Sequence, residues 1–224
     1  MPAMWRTRIK ICGFTREADL DAAVALGVDA IGLVFYPPSK RNLTLEQGAR
    51  LRQRLPPFVS CVVLTVNASP SQLDEIIAAV RPDVLQFHGD EPPEHCQRYG
   101  LPYLRAFRVG APGLETPATL LESCLRHEAA AGWLFDSHSA GYGGSGRSFD
   151  WSCLLPIAHN ANARPLVLSG GLRVEKVSAA IAEVRPYALD VSSGVESEPG
   201  LKCPTLMQQF VQQVRRTDAA RSDP

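Results

Sequence analysis

The chain of 224 residues has no net charge: 23 Lys plus Arg balance 23 Asp plus Glu. A nucleic-acid binder draws most of its affinity from phosphate contacts and shows a basic excess, so nucleic acid is not an expected partner. Nothing approaches the roughly 18 consecutive apolar residues of a membrane span, so a membrane is not expected either. Met1 to Arg8 holds no apolar core segment, which argues against a secretory signal. The six cysteines (12, 61, 96, 124, 153 and 203) contain no Cys-x-x-Cys, which weakens a structural zinc site. Six thiols could form disulfides, but without an export signal reduced thiols in the cytoplasm are the expected state. With 45% hydrophobic and 21% charged residues, a disordered or collagen-like chain is excluded.

What is present is alternation. Short β-rich runs recur at Arg8–Cys12, Ala30–Phe35, Ser60–Val66, Val84–His88, Tyr103–Val109, Trp133–Asp136, Pro165–Ser169 and Ala188–Ser192. Several, such as AIGLVF and CVVLTV, are nearly continuous in apolar residues, as strands buried on both faces of a parallel sheet are. Between them lie helical stripes: Leu73, Ile76, Ile77 and Val80; Val174, Val177, Ile181 and Val184; Leu206, Phe210 and Val214. Thr44-Leu-Glu-Gln47 fits a capping box, and Ser69-Pro70 an N-cap followed by proline at the first helical position. Gly27, Pro82 and Gly100 stand where helices should stop. The helix after the sixth strand should be short, near Asp150–His159.

Eight strand–helix repeats predict an α/β fold, a (β/α)₈ TIM barrel forming one domain over residues 1–224. The rival, a doubly wound open sheet, often carries a dinucleotide glycine fingerprint after its first strand; here that strand ends in Cys12-Gly13-Phe14-Thr15. The polar tail over 217–224 is expected to fray.

Barrel enzymes work at the C-terminal ends of their strands. Two of those ends, Ser169-Gly170-Gly171 and Asp190-Val-Ser192-Ser193-Gly194, lie where barrels often hold phosphate, because glycines let backbone N–H groups approach an oxyanion. The structural alternative is two tight turns. Cys12 and Asp136, on strands one and six, are candidates for base and acid. A lone cysteine in an apolar strand is more often a small core residue; a carboxylate ending such a strand is costly unless paired or functional. Lys10 shares the parity of Cys12 and should point inward, paired with Asp190; a Schiff-base lysine is the other role open to it. Arg41 suits a carboxylate, or is a solvated charge. His88 has no second ligand at metal spacing, so it is a neutral, orienting or structural residue at the substrate side, and no metal is expected. The segment from Gly141 to Ser148 reads G-x-x-x-x-G-R-S, near the nucleotide-binding loop, but it follows a sixth strand and carries Arg147 for the lysine. A flexible cover over the site explains it better.

Taken in order, Lys10-Ile-Cys-Gly13 with Thr15, Gly32-Leu-Val-Phe35 leading to Ser39-Lys-Arg41, Gln86-Phe-His-Gly-Asp-Glu91, Phe135-Asp-Ser137, Gly143-Gly-Ser-Gly-Arg-Ser-Phe-Asp-Trp151, Leu168-Ser-Gly-Gly-Leu172, and Asp190-Val-Ser-Ser-Gly-Val-Glu196 with Pro199-Gly200 resemble the phosphoribosylanthranilate isomerase family of tryptophan biosynthesis, from Arg8 to about Val214. The resemblance implies a cofactor-free Amadori rearrangement of N-(5-phosphoribosyl)anthranilate to 1-(2-carboxyphenylamino)-1-deoxyribulose 5-phosphate in the cytoplasm, by a monomer or homodimer. It implies Asp136 as acid and Cys12 as base, Arg41 on the anthranilate carboxylate, and Gly171, Ser193 and Gly194 on the phosphate, with Gly170 beside them. One departure is visible: Lys202 is followed by Cys203, where the family usually has Asp, which bears on a helix cap more than on chemistry. Two other readings remain: the related isomerase of histidine biosynthesis, which uses Asp where this chain has Cys12, and a barrel that binds a sugar phosphate without reacting.

Overall fold

In a computed structural model, which describes residues 6–138 and 149–222, eight parallel strands close into a barrel in sequence order. They are β1 (Arg8–Cys12), β2 (Ala30–Phe35), β3 (Ser60–Thr65), β4 (Val84–Phe87), β5 (Tyr103–Val109), β6 (Gly132–Ser137), β7 (Leu166–Leu168) and β8 (Ala188–Val191). The ring closes where β8 pairs with β1 and sets Lys10 beside Asp190. Helices α1 (Glu17–Ala25), α2 (Leu45–Gln53), α3 (Pro70–Val80), α4 (Pro93–Gln97), α5 (Pro117–Arg126), α6 (Leu155–Ala158), α7 (Val177–Val184) and α8 (Pro204–Ser222) follow the strands in turn.

Local chemistry sets the helix ends. Capping boxes start α2 at Thr44, α3 at Ser69 and α5 at Thr116, each pairing the N-cap side chain with the residue three positions on. Gly27 turns left-handed just past α1, and α3 stops at Arg81, also left-handed, ahead of Pro82. Along the strands, side-chain parity sorts two cores. Ile9 and Ile11 point outward into the large layer shared with the helices. Inside the barrel, a lower apolar level is made by Ala106, Leu134, Val167 and Ala188, and an upper one by Cys12, Val34, Leu64 and Val66.

Three features depart from the sequence expectation. Through Ser222, the last described residue, the tail is helical: α8 continues that far, and Asp218 accepts hydrogen bonds from the Thr7 backbone N–H at 2.6 Å and the Thr7 hydroxyl at 2.8 Å. A polar composition said nothing about this tertiary anchor. A two-stranded antiparallel hairpin, β9 (Glu196–Glu198) and β10 (Leu201–Lys202), stands after the β8 loop, where no strand was expected. Five of the eight strands shift by a residue at one or both ends, leaving Val66, His88, Ser169 and Ser192 just beyond their strands. The Gly141–Ser148 motif lies outside the described residues. No helix among the described residues is long and apolar enough to cross a membrane.

Candidate active site

The C-terminal mouth of the barrel opens into a cavity lined by residues from most of its strand ends. Cys12, Arg41, His88, Asp136, Gly170, Gly171 and Ser193 all reach it. Gly194 does not; it lines an adjoining depression that shares Gly171 and Ser193 with the cavity.

Cys12 ends β1 with its thiol facing inward beneath Val34 and Leu64. It fits there because β2 carries a glycine alongside: a Cβ on Gly32 would fall 2.5 Å from the Cys12 sulfur. Burial pushes the thiol pKa up, and Lys10 opposes that most strongly, with Lys202 acting the same way. Lys10 donates to Asp190 at 2.9 Å, both side chains being almost inaccessible to solvent, so the expected inward ion pair is formed one level below the rim. The pairing keeps a charged lysine in an interior that would otherwise expel it.

Across the mouth, Asp136 lies on β6. Its Oδ1 accepts from the Ser137 backbone N–H at 2.8 Å. Its Oδ2 stands 3.3 Å from His88 Nε2, close in distance but off the hydrogen-bonding axis, so Nε2 is left without a full partner. His88 Nδ1 meets the Gln86 side-chain amide at 3.0 Å. If that amide NH₂ donates, Nδ1 is the acceptor and the ring proton sits on Nε2, facing the carboxylate. Gly170, left-handed at φ +83°, makes room here: a Cβ would meet Ser137 N at 2.6 Å and Asp136 Oδ1 at 2.9 Å.

The two anion-loop candidates are packed main chain to main chain, since a Cβ on Gly194 would lie 1.9 Å from the Leu172 carbonyl oxygen. Gly170 and Gly171 both turn left-handed, so the wall at that point is backbone rather than side chain. Arg41 closes the opposite side. Its Nε and Nη2 donate to Glu196 at 2.8 and 2.6 Å, leaving the Nη1/Nη2 edge of the guanidinium without a hydrogen bond among the described residues. A planar carboxylate can take that edge in two parallel bonds. Gly13, left-handed, lets the Arg41 stem lie over it; a Cβ there would strike Cδ at 2.3 Å.

A cavity flanked by thiol and carboxyl, with a half-free guanidinium on one side and glycine loops on the other, suits acid–base chemistry on a doubly anionic molecule. Among the described residues no group of three or more His, Cys, Asp or Glu could hold a metal ion. The family profile for N-(5'-phosphoribosyl)anthranilate (PRA) isomerase matches residues 9–213. The chain belongs to the PRA isomerase family. It is 54% identical over 213 residues to the N-(5'-phosphoribosyl)anthranilate isomerase of Bordetella petrii, a match covering 95% of this chain and 97% of that one. Its fold matches a phosphoribosyl anthranilate isomerase solved in complex with reduced 1-(o-carboxyphenylamino)-1-deoxyribulose 5-phosphate, with a TM-score of 0.81 and 36% identity over 94% of this chain and 99% of the other. A structure of monomers generated from the dimeric enzyme of Thermotoga maritima matches with a TM-score of 0.81 and 35% identity, covering 94% and 99%.

Four residues of this PRA isomerase family site had no role assigned from sequence: Gln86, Glu196, Lys202 and Gly32. Gln86 and Glu196 sat inside recognisable motifs without a stated partner. Gly32 carried a weak signal, a glycine inside an otherwise apolar strand, which marks a close approach. Lys202 stood in the family's Lys-Asp position without a role, and its burial was not legible because the hairpin that buries it does not show in the hydrophobic pattern.

Proposed function

We propose that the chain converts N-(5-phosphoribosyl)anthranilate to 1-(2-carboxyphenylamino)-1-deoxyribulose 5-phosphate, an Amadori rearrangement in tryptophan biosynthesis, by acid–base chemistry between Asp136 and Cys12. The observation that carries this reading is that β1 and β6 bring both groups to one cavity, with Arg41 and the Gly170-Gly171 and Ser192-Ser193 loops at its rim.

Asp136 donates a proton to the furanose ring oxygen, the C1–O bond breaks, and a protonated imine forms between C1 and the anthranilate nitrogen. The pair Asp136 Oδ2 and His88 Nε2 is where that proton is held, with Gln86 keeping the ring oriented. The imine cation acidifies the hydrogen on C2, and the Cys12 thiolate removes it, leaving an enolamine. Loss of the proton from the C2 hydroxyl and gain of one at C1 give the ketone, so no proton is gained or lost overall. The chemistry draws on no cofactor. Arg41 binds the anthranilate carboxylate through its free edge, and Gly170, Gly171, Ser193 and Gly194 bind the phosphate through main-chain N–H groups. The chain works in the cytoplasm as a monomer or homodimer, states that light scattering on the purified protein separates.

The test is a fluorescence assay on freshly made N-(5-phosphoribosyl)anthranilate with EDTA present. Turnover that EDTA leaves intact is expected. Asp136→Asn should lower kcat by about 10²-fold or more while the product analogue still binds, because ring opening loses its proton donor. Near-normal turnover in that variant removes the acid assignment. Turnover of the histidine-pathway aminoimidazole carboxamide ribotide, without activity on phosphoribosylanthranilate, overturns the substrate assignment.

A further inference from the structure

Lys202 stands on the hairpin, outside the eight barrel strands, yet its side chain has no solvent exposure. Its Nζ donates to acceptors from three elements: the Cys12 carbonyl at 2.5 Å, Glu196 Oε1 at 2.7 Å, and the Ser192 carbonyl and hydroxyl at 3.3 and 3.4 Å. Glu196 in turn holds Arg41 in two bonds. One ammonium therefore ties the end of the base-bearing strand to the β8 loop and, through a carboxylate, to the guanidinium on the rim. The hairpin is itself anchored: Asp19 of α1 accepts from the Lys202 backbone N–H at 3.0 Å, and Thr15 donates to the Gly200 carbonyl at 2.5 Å.

The charges around Cys12 do not cancel. Lys10 comes from β1 itself, Arg41 from the loop after β2 and Lys202 from β10; Asp190 comes from β8 and Glu196 from β9. Asp136 and His88 face it across the cavity. Asp190 and Glu196 are each bound to a cation, so the five charges of Lys10, Arg41, Lys202, Asp190 and Glu196 on the near side of the thiol leave one positive charge in excess, which a thiolate would neutralise. We propose that Lys202 is a positioning residue for the reaction: it supplies the unbalanced cation that favours the Cys12 thiolate, and Glu196 sets how much of that cation Cys12 feels. This rests on the reading of Cys12 as the base. Burial opposes ionisation of the thiol, and Lys10, Lys202 and Arg41 are the cations that interact with it through space.

The test follows the pH dependence of Cys12 alkylation by iodoacetamide, read by mass spectrometry on the tryptic peptide Ile11–Arg16, in the full chain without substrate. Lys202→Met should move the midpoint up by about one pH unit or more, and Glu196→Gln should move it down, because each removes a charge of opposite sign near the sulfur. The acid limb of kcat/KM should move with the midpoint in each variant. A purely structural lysine would lower stability without this opposed pair of shifts. A midpoint that stays put in either variant, or that moves the same way in both, overturns the proposal. Should Lys202→Met fail to fold, Glu196→Gln decides alone: a lowered midpoint supports it and an unchanged or raised one sinks it. Failure here with Cys12→Ala still inactive leaves the base assignment standing. Wild-type protein that does not turn over phosphoribosylanthranilate fails the functional reading instead.

Discussion

At the scale of single residues, the cysteines show what a functional environment consists of. Cys61 and Cys96 are pushed up to about 12 by burial, and Cys124 is pushed up for the same reason. They are inert packing groups. Cys12 is also deeply buried; each of the others has one arginine acting on it, whereas Cys12 has Lys10, Lys202 and Arg41. Cys12→Ala should keep the fold and lower kcat by about 10²-fold or more, with substrate still bound, read by steady-state fluorescence; near-normal kcat would remove the base assignment. Gly32 is the complementary case. Its φ is unremarkable, so the constraint is space: a methyl 2.5 Å from the sulfur must displace it. Gly32→Ala should therefore reduce kcat by about 10-fold or more with a small change in KM, since misplacing a reacting group by around 1 Å can cost about 100-fold. An unchanged kcat would show that the thiol tolerates another rotamer.

At the scale of elements, the hairpin and the helix behind it carry the departure from the family pattern. Cys203 precedes Pro204, the first residue of α8, and its carbonyl accepts from the Met207 N–H at 3.0 Å, so it occupies the N-cap position. A thiol there is a poor partner for the free N–H groups of the first turn, where Asp would accept from them and favour the helix dipole. Cys203→Asp should raise the stability by about 0.5–1 kcal/mol, seen as a higher urea midpoint with an unchanged slope. No gain would mean that the Cys203 N–H bond to the Val195 carbonyl, at 2.9 Å, already holds the turn. The strands and most helices were legible because each announces itself locally, by an apolar run, a capping box at Thr44, an N-cap and proline at Ser69-Pro70, or a glycine stop at Gly27. The hairpin was not. Two residues of β10 and three of β9 are too short for a period, and they pair only because the β8 loop and α1 hold them together.

At the scale of the whole molecule, stability should carry a pH signature from His127. Burial, then Arg105 and Arg126, hold its pKa down to about 4, against about 6.5 in the unfolded chain. Between those values the unfolded chain binds the extra proton and the folded one does not. The associated stability is present in full above about pH 6.5 and is lost as the pH falls towards 4, by at most about 3 kcal/mol. Urea unfolding at pH 7.5 and 4.5 should show this loss, and His127→Gln should flatten it; equal slopes in the two proteins would assign the loss to other groups. A second global contact joins the ends of the chain, Asp218 on α8 receiving both Thr7 bonds. Asp218→Ala should lower the urea midpoint and release the last turns of α8 to hydrogen exchange, while activity, far across the barrel, persists.

What the amino-acid order determined by itself is the alternation of strand and helix, the inward parity of Lys10 and Cys12, the demand of a buried Lys10 for Asp190, and the placing of chemistry at strand ends. Each follows from neighbours along the chain or from the cost of an unpaired buried charge. Tertiary structure alone decided which carboxylate claims Arg41, that Lys202 reaches the Cys12 carbonyl across 190 positions, that Gly194 turns to the side of the main cavity, and that α8 persists to Ser222. Those outcomes depend on distances between segments remote in sequence, and periodicity along one strand or helix contains no information about such distances.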